Sequence, residues 1–313
     1  MTNLIEFTYI LSALLFAVGL KMLSSPLTAR RGNLLSSLGM LLAIVATLFS
    51  QEIVDYRWIC VGIAAGTLVG ALAARLVAMT AMPEMVALLN GSGGGASLLL
   101  GWVEYHNQLS PSTFTAVTIF LAILIGGLTF SGSGIAWAKL SKFSLRGLRI
   151  ENAFVFPGQQ VLNILMLLTC VILGTIYSLS PSQHYFTFIT IILLSLMVGM
   201  MTVVPIGGAD MPVVISLLNS CSGLAACAAG FAIQNNILIV AGSLVGASGI
   251  ILTSIMCKAM NRSLVNVLAS GFGAASIGIE GKSTGDPRPI SAHDTYFLLE
   301  AARSVVFVPG YGL

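Results

Sequence analysis

Two asparagines lie in the middle of apolar runs, and each heads the same local pattern. Asn90 falls in MPEMVALLNGSGGGA (82–96) and Asn219 in MPVVISLLNSCSGLA (211–225), with Met, Pro, Leu-Leu, Asn, Gly and Ala recurring at the same internal spacing. A second match follows each copy: Gly127, Ser133, Gly134 and Ile135 correspond to Gly242, Ser248, Gly249 and Ile250. A carboxamide inside hydrocarbon costs several kcal/mol unless it finds a partner, so an intramembrane asparagine is a functional hypothesis by default. Such a residue serves either as interhelical glue or as the lining of a polar pathway. Its recurrence at duplicated positions, on glycine-rich segments that let neighbours approach, favours the second. Ser131, Ser133, Ser248, Thr253 and Ser254 could extend that pathway.

Charged residues cluster at the start of each copy. Asp210 directly precedes Met211, where a carboxylate can cap orphan N–H groups and face the positive end of a helix. Glu84 is its nearest equivalent, just inside the first turn of the other copy. Pro83 and Pro212 suit a first helical turn, because their missing N–H would be unpaired there anyway. At 1.5 Å per residue, Asn90 and Asn219 lie about 12 Å beyond these starts, at similar depth.

The elements that must position these groups are transmembrane helices. Hydrophobic residues make up 57% of the 313-residue chain and charged residues 8%, against roughly 25% charged in soluble domains. Apolar runs long enough to cross about 30 Å of hydrocarbon occur nine times, near 4–23, 33–50, 58–79, 83–103, 115–138, 160–179, 185–204, 210–232 and 237–257. The fold class is therefore an all-α polytopic membrane protein with about nine spans. The first run lacks a basic leader and a cleavage signal, so it reads as a retained helix.

Lys21, Arg30, Arg31, Arg75, Lys139, Lys142, Arg146, Arg149, Lys258 and Arg262 fall on one side of such a bundle, and only Arg57 on the other. The positive-inside rule then predicts an outside N-terminus and a cytoplasmic C-terminus. The repeat spans helices 3–5 and 7–9. An offset of four helices gives both copies the same orientation, making this a parallel repeat rather than an inverted one.

Composition excludes other classes. The net charge of +3 comes from loops rather than a basic stripe with aromatics, so nucleic acid is not an expected partner. Cys60, Cys170, Cys221, Cys227 and Cys257 have no ligand-like spacing and read as small buried hydrophobes, and no metal site is expected. His106 and His184 fall in outer loops and His293 in the tail, so none is placed as a midplane proton carrier. Gly91, Gly93, Gly94 and Gly95 resemble a phosphate loop only in composition. Within a span, Gly91 and Gly95 instead suit a small-xxx-small packing face, as do Ser216, Ser220, Gly223, Cys227 and Gly230 on one helix and Gly242, Gly246 and Gly249 on the next.

After Met260 the chain changes character. Residues 1–260 read as the transmembrane domain and 261–290 as a cytoplasmic linker, whose stretch GIEGKSTGDPRPIS is rich in Gly and Pro. Residues 291–313 read as the beginning of a nucleotide-binding domain. There Ser291 and Asp294 suggest a capping box, and 304–308 reads as a buried strand leading to Pro309-Gly310-Tyr311-Gly312. A strand before Gly-x-Gly is how a dinucleotide-binding βαβ unit opens.

Taken together, MTAMPEMVALLN, GGADMPVVISLLNS, GSLVGASG, IMCKAMNRS, KSTGD and VPGYG closely resemble the beta subunit of proton-translocating NAD(P) transhydrogenase, across nearly the whole chain. The resemblance implies reversible hydride transfer between NADH and NADP+ coupled to proton flow. It implies an alpha-subunit partner that binds NAD(H), a dimer of alpha-beta units, and a bacterial inner-membrane location. It places Asn219 on the proton path and Asp210 at its cytoplasmic mouth, and the residue reading above adds Asn90 and Ser248 to that path. Glu84, Lys258 and Arg262 would couple the membrane face to the NADP(H) domain, and Gly310 and Gly312 would be a partial NADP(H) fingerprint. No residue of this chain is implied as catalytic in hydride transfer.

Asn90 departs from part of that family, where a histidine here is taken to carry the proton. Asparagine does not titrate near neutral pH, so the alternative family arrangement, with the histidine on an alpha-subunit helix, fits this chain. The family's PGYG opens a C-terminal NADP(H) domain, whereas this sequence stops at Leu313. That leads to the expectation that the chain alone binds NADP(H) poorly, as a split subunit or the product of an interrupted gene. A non-catalytic membrane remnant or passive channel is the alternative reading.

Overall fold

The computed structural model describes residues 2–49, 56–108, 111–141, 144–145, 148–149, 154–179, 185–268 and 291–306. Among them run helices α1 (Thr2–Leu23), α2 (Pro26–Leu48), α3 (Tyr56–Leu76), α4 (Met82–Asn107), α5 (Thr113–Leu140), α6 (Gln159–Leu179), α7 (Tyr185–Val203), α8 (Met211–Ala232) and α9 (Asn236–Ala259). All nine are long and apolar enough to span a bilayer, as backbone groups in lipid require. Each overlaps one expected span, and most run a few residues further, into flanking polar sequence. A two-residue antiparallel ribbon, Ser144–Leu145 with Leu148–Arg149, follows α5. The chain divides into two compact units, Met1–Phe272 and Gly273–Leu313.

In the first unit α5 and α8 are the most enclosed helices. α4 and α9 flank them, α7 closes on α5, and α6 covers α7. α1 and α2 form a separate hairpin that touches α9. Lipid tails are as apolar as leucine, so close backbone approach rather than hydrophobic transfer has to hold such helices together. The glycines supply it. A Cβ at Gly94 would stand 2.8 Å from the Gly126 carbonyl, and one at Gly242 2.7 Å from that of Gly223. Gly94 and Gly223 occupy the same place in the two copies, and each meets the helix that follows its own.

On α4 the buried residues Ala87, Asn90, Gly91, Gly94, Ser97, Leu98 and Gly101 recur every three or four positions. That is one helical stripe, and Asn90 lies on it. The closest approach falls at Gly94, not on the expected Gly91/Gly95 pair: Gly91 does face Ser133, but Gly95 meets the movable ring of Phe130. A 3.6-residue turn carries Gly95 to the edge of the stripe.

α3 has no buried residue. Trp58, Leu68 and Val69 are exposed, and so is Cys60, which corrects the expectation that all the cysteines are buried. Cys170 and Cys257 are buried, and Cys221 and Cys227 partly so.

In the second unit, α10 (Ala292–Ala301) starts as expected: the Ser291 hydroxyl accepts from the Asp294 N–H at 3.2 Å and donates to its carboxylate at 2.7 Å. The expected buried strand is not found in its described part. Residues 304–306 are exposed and without strand pairing, with Val306 81% exposed. A lone apolar run gains neither hydrogen bonds nor cover without a neighbouring strand. Gly310 and Gly312 lie outside the described residues.

Candidate functional site

α4 and α8 begin alike. A short 3-10 turn, Met79–Ala81 or Gly208–Asp210, leads into a helix with proline in its first turn. The helices pack against each other and run in the same direction, because Asn90 meets Ile215 and Gly93 meets Ser222. Ile215, Asn219 and Ser222 follow at spacings of four and three, so Asn219 lies on the α8 face turned toward α4.

Asn90 is buried, and its Nδ2 donates to the Ile215 carbonyl oxygen at 3.1 Å. This bond removes the desolvation penalty of an unpaired amide and ties α4 to α8 within the first turns of each helix. Asn219 is half-buried, and its side chain has no hydrogen-bond partner among the described residues. Its backbone carbonyl accepts from Ser222 Oγ at 2.8 Å.

The hydroxyls divide into those that cross between helices and those that do not. Ser216 accepts from Thr253 at 3.0 Å, and Ser220 donates to the Gly246 carbonyl at 2.7 Å, both buried between α8 and α9. Ser248 and Ser131 bond to carbonyls of their own helices, at 3.0 Å to Val245 and 3.0 Å to Gly127. Ser133 is fully buried and its hydroxyl lacks a partner. Ser254 is exposed. The serines thus form no continuous chain with the asparagines.

At the start of α8, Asp210 is buried and its Oδ1 stands 3.3 Å from Arg262 Nε. The charges are in contact, but the orientation leaves Oδ1 without a hydrogen bond. The capping role expected for Asp210 is not seen. Its backbone is right-handed helical, φ −93 and ψ −2, because the 3-10 turn runs directly into α8, and its side chain makes no cap bond. Capping needs an extended residue whose oxygen folds back over the first N–H groups. Arg262, held in the turn after α9 by its N–H to the Cys257 carbonyl at 2.9 Å, takes the carboxylate instead.

Arg262 and Lys258 line a recess of about 350 Å³ together with Thr253, Ser254, Cys257 and Leu264. The Lys258 side chain is exposed, and Glu84 is half-buried in the first turn of α4. Neither joins the Asp210–Arg262 pair. His106 is exposed and bonded through Nδ1 to the Trp102 carbonyl at 2.9 Å, and His293 is exposed. His184 lies outside the described residues.

Sequence reasoning missed a third polar centre. Lys139, in the last turn of α5, is only 4% exposed. Its Nζ donates to the carbonyls of Val203 at 3.3 Å, Val204, and Ile206 at 2.7 Å. From α6, Gln159 and Asn163 both donate to the Met201 carbonyl, at 3.2 and 3.3 Å. The end of α7 is thus supplied with donors from two helices. A lysine closing an apolar run reads as one more interfacial charge, and nothing local says which carbonyls it reaches.

Residues 5–313 match the family described as NAD(P) transhydrogenase beta subunit. The NAD(P) transhydrogenase subunit beta of Rhodospirillum rubrum is 39% identical over 319 residues, covering 97% of this chain and 67% of that protein. A second Rhodospirillum rubrum sequence of the same description gives the same identity and coverage, 39%, 97% and 67%.

Proposed function

This chain belongs to the NAD(P) transhydrogenase beta-subunit family, and from that premise we propose that its membrane unit forms the proton path coupling proton translocation to hydride transfer between NADH and NADP+. Asn90 and Asn219 line the path where α4 faces α8, with Ser248 further along. Asp210 stands at its cytoplasmic mouth. The observation that carries this reading is the bond from Asn90 to the Ile215 carbonyl, which places the two duplicated asparagines on facing surfaces of parallel helices.

The chemistry divides between the groups. Carboxamides do not titrate near neutral pH; they hold and orient hydrogen-bonded neighbours. Asp210 carries the charge that holds Arg262, and loss of that contact frees the guanidinium. Arg262 is 52% exposed at its side chain, so its release changes the surface on which a nucleotide-binding domain docks. Lys258 and Glu84 belong to that coupling face. Gly310 and Gly312 begin the NADP(H) fingerprint. An alpha subunit binds NAD(H) and contributes the proton-carrying histidine, in a dimer of alpha-beta units within a bacterial inner membrane. The N-terminus lies outside and the C-terminus in the cytoplasm.

The test is proton uptake coupled to hydride transfer in liposomes bearing the assembled complex. Asn219→Leu is expected to abolish coupled proton movement while the complex still assembles. Lower thermal stability and yield with intact coupling would instead assign the asparagines to packing alone.

A further inference from the structure

α7 ends at Val203, and the carbonyls of a last helical turn have no partner within their own helix. Here Val203 and, just beyond the helix, Ile206 are buried. The negative end of the helix dipole favours a cation at this place, and an ammonium offers three donors. Lys139 commits all three to the carbonyls of Val203, Val204 and Ile206. A charge that belongs to α5 thereby closes α7.

The connector it grips leads directly to Asp210. Ile206 is fully buried in the cluster that also holds Val203, Met211 and Val214. Its N–H bonds back to the Val203 carbonyl at 3.1 Å, and the Asp210 N–H to that of Gly207 at 3.1 Å. Between Ile206 and Asp210 lie only Gly207, Gly208 and Ala209, and no atom crowds either glycine. No side chain packs around those two glycines, so the carboxylate is set between two anchors: α8, into which its turn runs, and buried Ile206, whose carbonyl Lys139 holds.

We propose that Lys139 is a positioning residue for the path's cytoplasmic mouth, acting through the Val203–Ile206 carbonyls to hold Asp210 within reach of Arg262. This rests on the reading of Asp210 given under Proposed function. Its three donors are committed to the backbone, and the role assigned to it is positional.

Two measurements on the assembled complex test it. The first reads position without activity: Asp210→Cys is labelled with a soluble maleimide, and modification at that position is followed by mass spectrometry. With Lys139 present, labelling is slow. Lys139→Met should raise its rate about tenfold, and Lys139→Arg, which keeps the charge and donors, should restore slow labelling. An unchanged rate in Lys139→Met overturns the inference. The second is a double-mutant cycle on coupled proton uptake. Lys139→Met should lower uptake about tenfold in the native background and less than about twofold beside Asp210→Asn. Equal losses in both backgrounds overturn action through Asp210 and leave a general structural role. Should Lys139→Met not assemble, Lys139→Gln runs the same cycle. Full coupling in Asp210→Asn alone would remove the proton-path assignment, and the labelling result would still decide whether Lys139 sets the position of residue 210.

Discussion

Asn90 donates its side-chain N–H to the carbonyl oxygen of Ile215, the oxygen that in a regular helix also receives the backbone N–H of Asn219. The two duplicated asparagines therefore share one acceptor, one through its side chain and the other through its backbone. The first is buried and satisfied. The second is half-buried, with its carboxamide unpartnered among the described residues. Two positions that match in sequence thus have different environments.

That difference sets the first prediction. Asn90→Leu removes an interhelical hydrogen bond, worth about 1 kcal/mol in a membrane interior, and forces a larger apolar group against Ile215. It should lower the thermal stability of the complex measurably. Asn219→Leu breaks no side-chain bond and should leave stability within about 0.5 kcal/mol while stopping coupled proton movement. Thermal unfolding and proton uptake, measured on both variants, separate the roles. A larger stability loss at Asn219 than at Asn90 would contradict this assignment.

The ion pair at the mouth is asymmetric. Asp210 has a 9% exposed side chain and Arg262 a 52% exposed one. Removing Arg262 leaves a buried carboxylate uncompensated, whereas removing the carboxylate leaves an arginine that water can solvate. Arg262→Gln should therefore destabilise more than Asp210→Asn, and the double variant should recover part of the loss. Melting temperatures of the three variants check the order.

Much of this was legible beforehand, because lipid imposes a coarse rule: backbone groups must be satisfied within a span of about 20 apolar residues. The nine spans follow from that rule. The interactions of individual charged groups did not. Asp210 looked like a cap because caps are local in sequence, yet its partner Arg262 is supplied by the turn after α9. Lys139 looked like one more interfacial cation, yet it closes a helix two spans later. The apolar run 304–308 carried strand propensity, and propensity without a pairing partner left 304–306 exposed.

Glycine substitutions test the packing logic. Gly94 has Gly126 and Thr129 within 2.8 Å of where a Cβ would stand, and part of that contact is backbone that cannot swing away. Gly94→Ala should push α4 from α5 and destabilise by about 1–3 kcal/mol, as overpacking does. Gly134, on the adjacent α5, has nothing within 4 Å of its Cβ position, and Gly134→Ala should be neutral or slightly stabilising, since alanine is the better helix former. Matched thermal unfolding of the two variants would retire the close-packing account if they behaved alike.

The last prediction concerns orientation. Counted along the sequence, with nine spans crossing in turn, ten of the fourteen Lys and Arg residues fall on one side, Arg57 alone on the other, and the remaining three follow Arg262 in the C-terminal stretch. If that bias sets insertion, Asn107 at the end of α4 and Arg146 beyond the end of α5 lie on opposite sides, outer and inner respectively. One span, α5, separates them, so the comparison does not depend on how α1, α2 and α3 insert. Reporter fusions at the two positions, one type active only outside and one only in the cytoplasm, should give reciprocal signals. Like signals at both would mean that α5, the most enclosed apolar helix together with α8, does not cross the membrane. Reciprocal signals of the reversed sign would keep the nine spans and place Asp210 and Arg262 on the outer face, away from any cytoplasmic nucleotide domain.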